Sequence, residues 1–151
     1  MANGNWVQNF YRPTNPAKYV GDINKIVFRS SWERHFFQYC DSSSHVTKWS
    51  SEPFHIPYWD PSTEKMRRYF PDVYVEMIDS EGKVKQYLIE IKPYKQTIEP
   101  QKRKKSTRTY LNECLVYSKN VSKWENARKF CEKHNIEFLI LTEKDLGLDK
   151  K

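Results

Sequence analysis

Apolar and polar residues alternate with a period of two from Asp72 to Glu76 and again from Gln86 to Lys92. Between the runs lies Asp79-Ser80-Glu81-Gly82, turn chemistry that predicts an antiparallel hairpin. With the turn centred near Glu81, opposed residues have numbers summing to about 162, which sets Asp72 across from Glu90 and Phe70 across from Lys92. Upstream, Ser30-Ser31-Trp32-Glu33 fits a capping box, and Trp32, Phe36, Tyr39 and Cys40 recur at helical spacing. Val46 to Tyr58 reads as one broken strand or two short ones, held to a sheet edge or to bends by Pro53 and Pro57. Trp59-Asp60-Pro61-Ser62 then turns the chain back toward Asp72, which predicts a three-stranded antiparallel meander.

Beyond Lys92 the period changes to helical. Thr107, Tyr110, Leu111, Cys114 and Leu115 share one helix face, and Ser122-Lys123-Trp124-Glu125 reads as a second capping box opening a helix through Trp124, Ala127, Phe130 and Cys131. These aromatics are read as core. The run Phe138 to Leu141 suits a buried strand, parallel to a neighbour after the helical crossover. The fold class is therefore α/β, a mixed sheet flanked by helices. Residues 1–26 carry Trp6, Phe10 and Tyr11 with little periodicity and read as an arm packed on the core through its aromatics; Arg12 and Lys18 there are read as solvated rather than as phosphate contacts. Residues 27–146 form the single domain, and 147–151 a short tail.

Composition narrows the function. Twenty-six Lys and Arg against 19 Asp and Glu leave a net charge of +7, which favours a polyanionic partner, nucleic acid before membrane. No stretch approaches membrane-spanning length and the N-terminus has no apolar signal core, so folding is expected in a reducing cytoplasm. Cys40, Cys114 and Cys131 are odd in number and form no CxxC pair, which argues against a zinc ribbon and a disulfide framework. His35, His45, His55 and His134 lack ligand spacing and read as surface or structural.

The chemistry sits on the hairpin. Directly opposed carboxylates, roughly 4.5–5.5 Å apart at Cβ, repel one another, and a divalent cation removes the conflict. Mg²⁺ takes such hard oxygen ligands and activates water for attack on a phosphodiester, while Lys92, on the face of Glu90, can steady the water or the phosphate. E-x-K is also common on solvated strand faces, so the triplet alone is not diagnostic. Glu33 has two readings, helix cap and metal ligand, and the residues by themselves favour the cap. Lys65, Arg67 and Arg68 before Asp72, and Lys95, Lys102, Arg103, Lys104, Lys105 and Arg108 after Lys92, are candidate contacts to the DNA backbone; for the second group this reading is favoured over a solvated helix entry.

The order helix, meander, helices, strand, with PD and ExK on adjacent strands, resembles the restriction-endonuclease-like fold of the PD-(D/E)xK nucleases. FRSSWE (Phe28 to Glu33), IPY, RRYFPDVYVE and LIEIKP are similar to the TnsA-type transposon endonucleases, and the size and order of the whole chain are similar to nucleases of tailed bacteriophages that finish DNA-filled heads. The resemblance covers roughly residues 27–146. It implies an active site of Glu33, Asp72, Glu90 and Lys92, with Mg²⁺, or Mn²⁺ in its place, on Glu33, Asp72, Glu90 and the Ile91 carbonyl. It further implies a DNA endonuclease that trims protruding DNA, with double-stranded DNA and portal or neck proteins as partners, in the host cytoplasm or at the virion head–neck region, as a monomer or as a dimer on DNA. The competing readings are a non-catalytic virion structural or DNA-binding protein on the same scaffold, and an RNA nuclease.

Overall fold

The computed structural model describes residues 9–148, so Trp6 and the last residues of the tail lie outside the described residues. After a short antiparallel pair, β1 (Asn9–Phe10) with β2 (Val27–Phe28), comes a central four-stranded sheet in the order β3-β6-β7-β8: β3 (Val46–Ser51), β6 (Val73–Ile78) and β7 (Val84–Ile91) are antiparallel, and β8 (Glu137–Leu141) runs parallel to β7. The hairpin register pairs Val73 with Ile89 and Ile78 with Val84, the pairing expected from the turn position. Asp79 closes that turn, its Oδ1 accepting from the Glu81 and Lys83 amides at 2.9 Å each.

The segment between Val46 and Asp72 divides differently from a consecutive meander. After β3 the chain leaves the sheet and forms a separate hairpin, β4 (Ile56–Asp60) with β5 (Lys65–Tyr69), before re-entering as β6. The three antiparallel strands are thus β3, β6 and β7, with the hairpin inserted. Pro57 sits on the hairpin's exposed face, and buried Asp60 locks the bend: its Oδ1 accepts from the Ser62 amide at 2.9 Å and the Ser62 hydroxyl at 2.6 Å. The Ser62 hydroxyl first, then its amide, hold the Asp60 carboxyl down at about 2 against the opposing effect of burial.

Both faces of the sheet are covered, which explains why the end of β7 reads Leu88-Ile89-Glu90-Ile91 with every residue buried. On one face, α1 (Ser31–Ser42) brings Phe36, Phe37 and Cys40 against Trp49, Val73, Val75, Ile89 and Ile91. On the other, α2 (Thr107–Lys133) and the inserted hairpin bring Trp124, Ala127, Cys131, Ile56, Tyr58 and Tyr69 against Leu88. Strand β8, at the sheet's edge, is only half-buried.

Three helical expectations change. The sheet-facing stripe of α1 runs Glu33, Phe36, Phe37, Cys40, Asp41, so Phe37 takes the core place expected of Tyr39, which faces solvent. The two helices after Thr107 are one continuous helix of 27 residues. No Gly or Pro interrupts Thr107 to Lys133, and Ser122 caps nothing: its hydroxyl donates to the Trp59 carbonyl at 2.6 Å, tying α2 to the inserted hairpin. Only the second half of α2 docks, through Asn120, Trp124, Ala127 and Cys131, while Leu111 and Leu115 are exposed.

The chain before α1 is anchored by a buried carboxylate. Asp41 accepts from the Tyr11 hydroxyl at 2.8 Å, the Thr14 amide and hydroxyl at 2.7 Å each, and the Asn15 amide at 2.9 Å. Tyr11 meets Phe37 and Trp49 edge-on, whereas Phe10 is exposed. Lys18 is not a solvated cation: its Nζ donates to the carbonyls of Asp41 at 3.0 Å and Ser43 at 2.7 Å, satisfying the C-terminal end of α1.

Candidate active site

Asp72 immediately precedes β6, and Glu90 lies on β7 at the extension of the same register. Their carboxyls meet. Asp72 Oδ2 accepts from the Ile91 amide at 2.7 Å, and Glu90 Oε2 accepts from the Tyr69 hydroxyl at 2.5 Å. Burial, then the charge of Glu90, then a hydrogen bond with it, push the Asp72 pKa well above the ordinary carboxylate value, against the opposing pull of the Ile91 amide and Lys92. Tyr69 stays a hydroxyl, since burial first and the Glu90 charge second raise its pKa.

Glu33 stands beside this pair in the first turn of α1. Its amide donates to Ser30 Oγ at 3.1 Å, the N-cap bond expected, but its Oε2 accepts from the Arg29 amide at 2.9 Å rather than from Ser30. One carboxylate oxygen is committed to the cap. Burial first raises the Glu33 pKa, the Arg29 amide lowers it, and the Asp72 charge raises it again, so the two acids feel one another. Arg29 is drawn off by an ion pair with Glu52.

The four candidate residues thus fall in one neighbourhood at the end of the sheet, with Asp72 and Glu90 in contact and Glu33 and Lys92 acting on Asp72. Among the described residues, no three of His, Cys, Asp or Glu stand together as a ready-made cation cage, so in this geometry Glu33 is a neighbour of the pair. The donor set suits a hard divalent cation all the same. A cation would relieve the repulsion between the two acids, and their oxygens are the ligands Mg²⁺ prefers.

The basic residues separate into two groups. Arg67 Nε donates to Thr63 Oγ1 at 3.0 Å and pairs with Asp60 at 3.1 Å; Lys105 pairs with Glu113 at 2.8 Å; Lys102 Nζ donates to the Lys105 carbonyl at 3.2 Å. Arg67 and Lys105 brace the fold, and the Lys102 contact is local. Lys65, Arg67, Arg68, Lys95, Lys102, Arg103, Lys104 and Arg108 are exposed. All four histidines are exposed and all three cysteines are free thiols.

Tyr69 escapes a sequence reading because its role depends on how the inserted hairpin lies on the sheet. The available signal is parity: Lys65, Arg67 and Tyr69 share one face of β5, across from buried Ile56, Tyr58 and Asp60. Lys123 escapes for the same reason, its neighbours being Tyr58 and Tyr69.

Two neighbouring carboxylates at the end of a hairpin, in a mixed sheet with helices on both faces, mark a nuclease-type scaffold. Residues 43–143 match the family described as TnsA-like endonuclease N terminal, and the chain belongs to that family. It is similar to the head completion nuclease of Enterobacteria phage T4, at 40% identity over 148 residues, covering 95% of this chain and 93% of that relative. The family match begins after α1, so it takes in Asp72, Glu90 and Lys92 and leaves out Glu33.

Proposed function

We propose that this chain is a divalent-metal-dependent endonuclease that cuts double-stranded DNA as phage heads are completed. The observation that carries the reading is the Asp72–Glu90 pair, a half-buried acid set beside a buried one at the end of the β6–β7 register, with the Asp72 pKa raised by burial and by the Glu90 charge. Family membership and the T4 relative's name support the reaction class and the setting. Asp72, Glu90 and the Ile91 carbonyl would hold Mg²⁺ or Mn²⁺, with Glu33 joining through its second oxygen. When bound, the ion supplies an activated water and neutralises charge on the phosphodiester.

The protein's own groups do the rest. The Ile91 amide orients Asp72, and the Tyr69 hydroxyl orients Glu90. Lys92 lies close enough to Asp72 to lower its proton affinity, a place from which an ammonium can steady the attacking water or the phosphate. Lys65, Arg68, Lys95, Arg103, Lys104 and Arg108 supply exposed positive charge for the DNA backbone.

The test is supercoiled plasmid with Mg²⁺ or Mn²⁺, alongside an RNA substrate. Nicking or linearisation of the plasmid, abolished by chelator, is the expected result. Folded protein that binds DNA yet never cuts it with either metal, or that cuts RNA in preference, refutes the reading.

A stability measurement follows from the same pair. Asp72 has a raised folded-state pKa, so the metal-free native state holds more protons than the unfolded chain from the ordinary 3.8 upward, and the stability tied to this group is lost as pH rises through the folded value. Mg²⁺ displaces that proton. Thermal melts at pH 8 with Mg²⁺ at a hundred times its Kd should show about 2.7 kcal/mol more stability than melts with chelator, and the difference should shrink toward pH 4. Equal melting with and without the ion at pH 8 contradicts the metal site.

A further inference from the structure

Lys123 projects from the docked half of α2 into the seam between that helix and the inserted hairpin. Its Nζ lies 5.6 Å from the centre of the Tyr58 ring and 5.7 Å from that of Tyr69, the residue whose hydroxyl holds Glu90. It is half-buried and, unlike its neighbour Lys119, which lies 3.8 Å from Asp60, makes no ion pair among the described residues. We propose that Lys123 forms a phosphate subsite beside the carboxylate pair, its ammonium binding a non-bridging oxygen of the DNA strand being cut. The inference rests on the nuclease reading above and adds a substrate contact from a different element.

Three features of the surroundings carry it. The Tyr58 and Tyr69 rings face the ammonium at cation–π distance, which favours the cation beside the residue whose hydroxyl reaches Glu90. Lys92 and Lys123 repel one another: burial first, and the Lys92 charge second, lower the Lys123 pKa, while Glu90 raises it. An anion received between two lysines and a cation-laden acid pair removes that repulsion, and a phosphodiester oxygen has the required charge. Carbonyl oxygens do not satisfy Lys123 as they satisfy Lys18, for no hydrogen bond ties its Nζ among the described residues.

The experiment compares wild type, Lys123→Met and Lys123→Arg, with Lys83→Met as control, since Lys83 lies at the far turn of the β6–β7 hairpin paired with Glu81. Methionine keeps an apolar stem without the charge. Cleavage of a linear duplex in Mg²⁺ gives kcat/KM, and fluorescence anisotropy of the same duplex in Ca²⁺, from low to moderate salt, gives the slope of log K against log[salt]. Lys123→Met should lose about 10²-fold in kcat/KM and reduce the slope by about 0.9, with an unchanged melting temperature. Lys123→Arg should restore the slope, and Lys83→Met should match wild type. A Lys123→Met protein that cuts like wild type with an unchanged slope overturns the subsite and leaves Lys123 a packing residue, with the nuclease reading intact. If methionine lowers the melting temperature, the slope of Lys123→Arg decides: a wild-type slope together with a reduced slope for folded Lys123→Met at low temperature upholds the subsite, and equal slopes for all three overturn it. Wild type that cuts no DNA with any metal overturns the nuclease reading and the subsite together.

Discussion

Asp72→Asn is expected to cut plasmid at least about 10²–10³-fold more slowly than wild type and, without metal, to be more stable by about 0.5–2 kcal/mol near neutral pH. The two effects have one origin. Asparagine can still accept from the Ile91 amide, and its NH₂ can donate to Glu90, so the native geometry survives while the like-charge conflict disappears. Glu90→Gln should behave alike in cleavage, since its amide oxygen can accept from Tyr69. Plasmid assays and urea melts on the same preparations give both numbers. A variant that kept wild-type cleavage would remove Asp72 from the chemistry, and one that lost stability would show that the pair serves the fold.

Asp41→Ala should be strongly destabilising although it lies away from the carboxylate pair, costing about 3–4 kcal/mol. Removal of the carboxylate leaves the Thr14 and Asn15 amides and the Tyr11 hydroxyl without their acceptor in a part-buried setting, and frees the arm from α1. The pH dependence has a definite sign. Burial alone would raise the Asp41 pKa, but the hydrogen bonds from Thr14, Asn15 and Tyr11 outweigh it and lower it, so this stability is present above the ordinary carboxylate value and lost as pH falls through the folded one. Urea unfolding at pH 7 and at pH 3 should show a large gap between wild type and variant closing toward acid. A gap under about 1 kcal/mol at pH 7 would show that the arm is not held through Asp41.

What could be read from the residues was mostly local. The β6–β7 register followed from a period of two and one turn, and it set Asp72 against Glu90 without reference to the rest of the chain. Ser30 was recognisable as a cap because its hydroxyl acts within one turn. Ser122 carried the same Ser-x-x-Glu signature and caps nothing, since serine and glutamate three apart are also ordinary neighbours on a helix surface, and with no Gly or Pro upstream the helix runs on. Division of the segment before Asp72 into a sheet strand and an inserted hairpin depended on partners far away in sequence. So did the exposure of Tyr39, Leu111 and Leu115, the bracing roles of Lys18 and Arg67, and the arrival of Tyr69 and Lys123 at Glu90. A helical or strand period tells which residues share a face, but not whether that face is covered.

Alternation along β7 also determines which changes of length the protein can absorb. Residues added at Ser80-Glu81-Gly82 only lengthen an exposed bend, leaving every side chain of Val84 to Ile91 aimed as before. Removal of one residue between Val84 and Ile89 would instead rotate the strand's end by half a period, turning an acid toward Val73 and Val75 and an isoleucine toward the side of Tyr69 and Leu88. Drift in chain length is therefore tolerable at the loop and ruinous a few positions later.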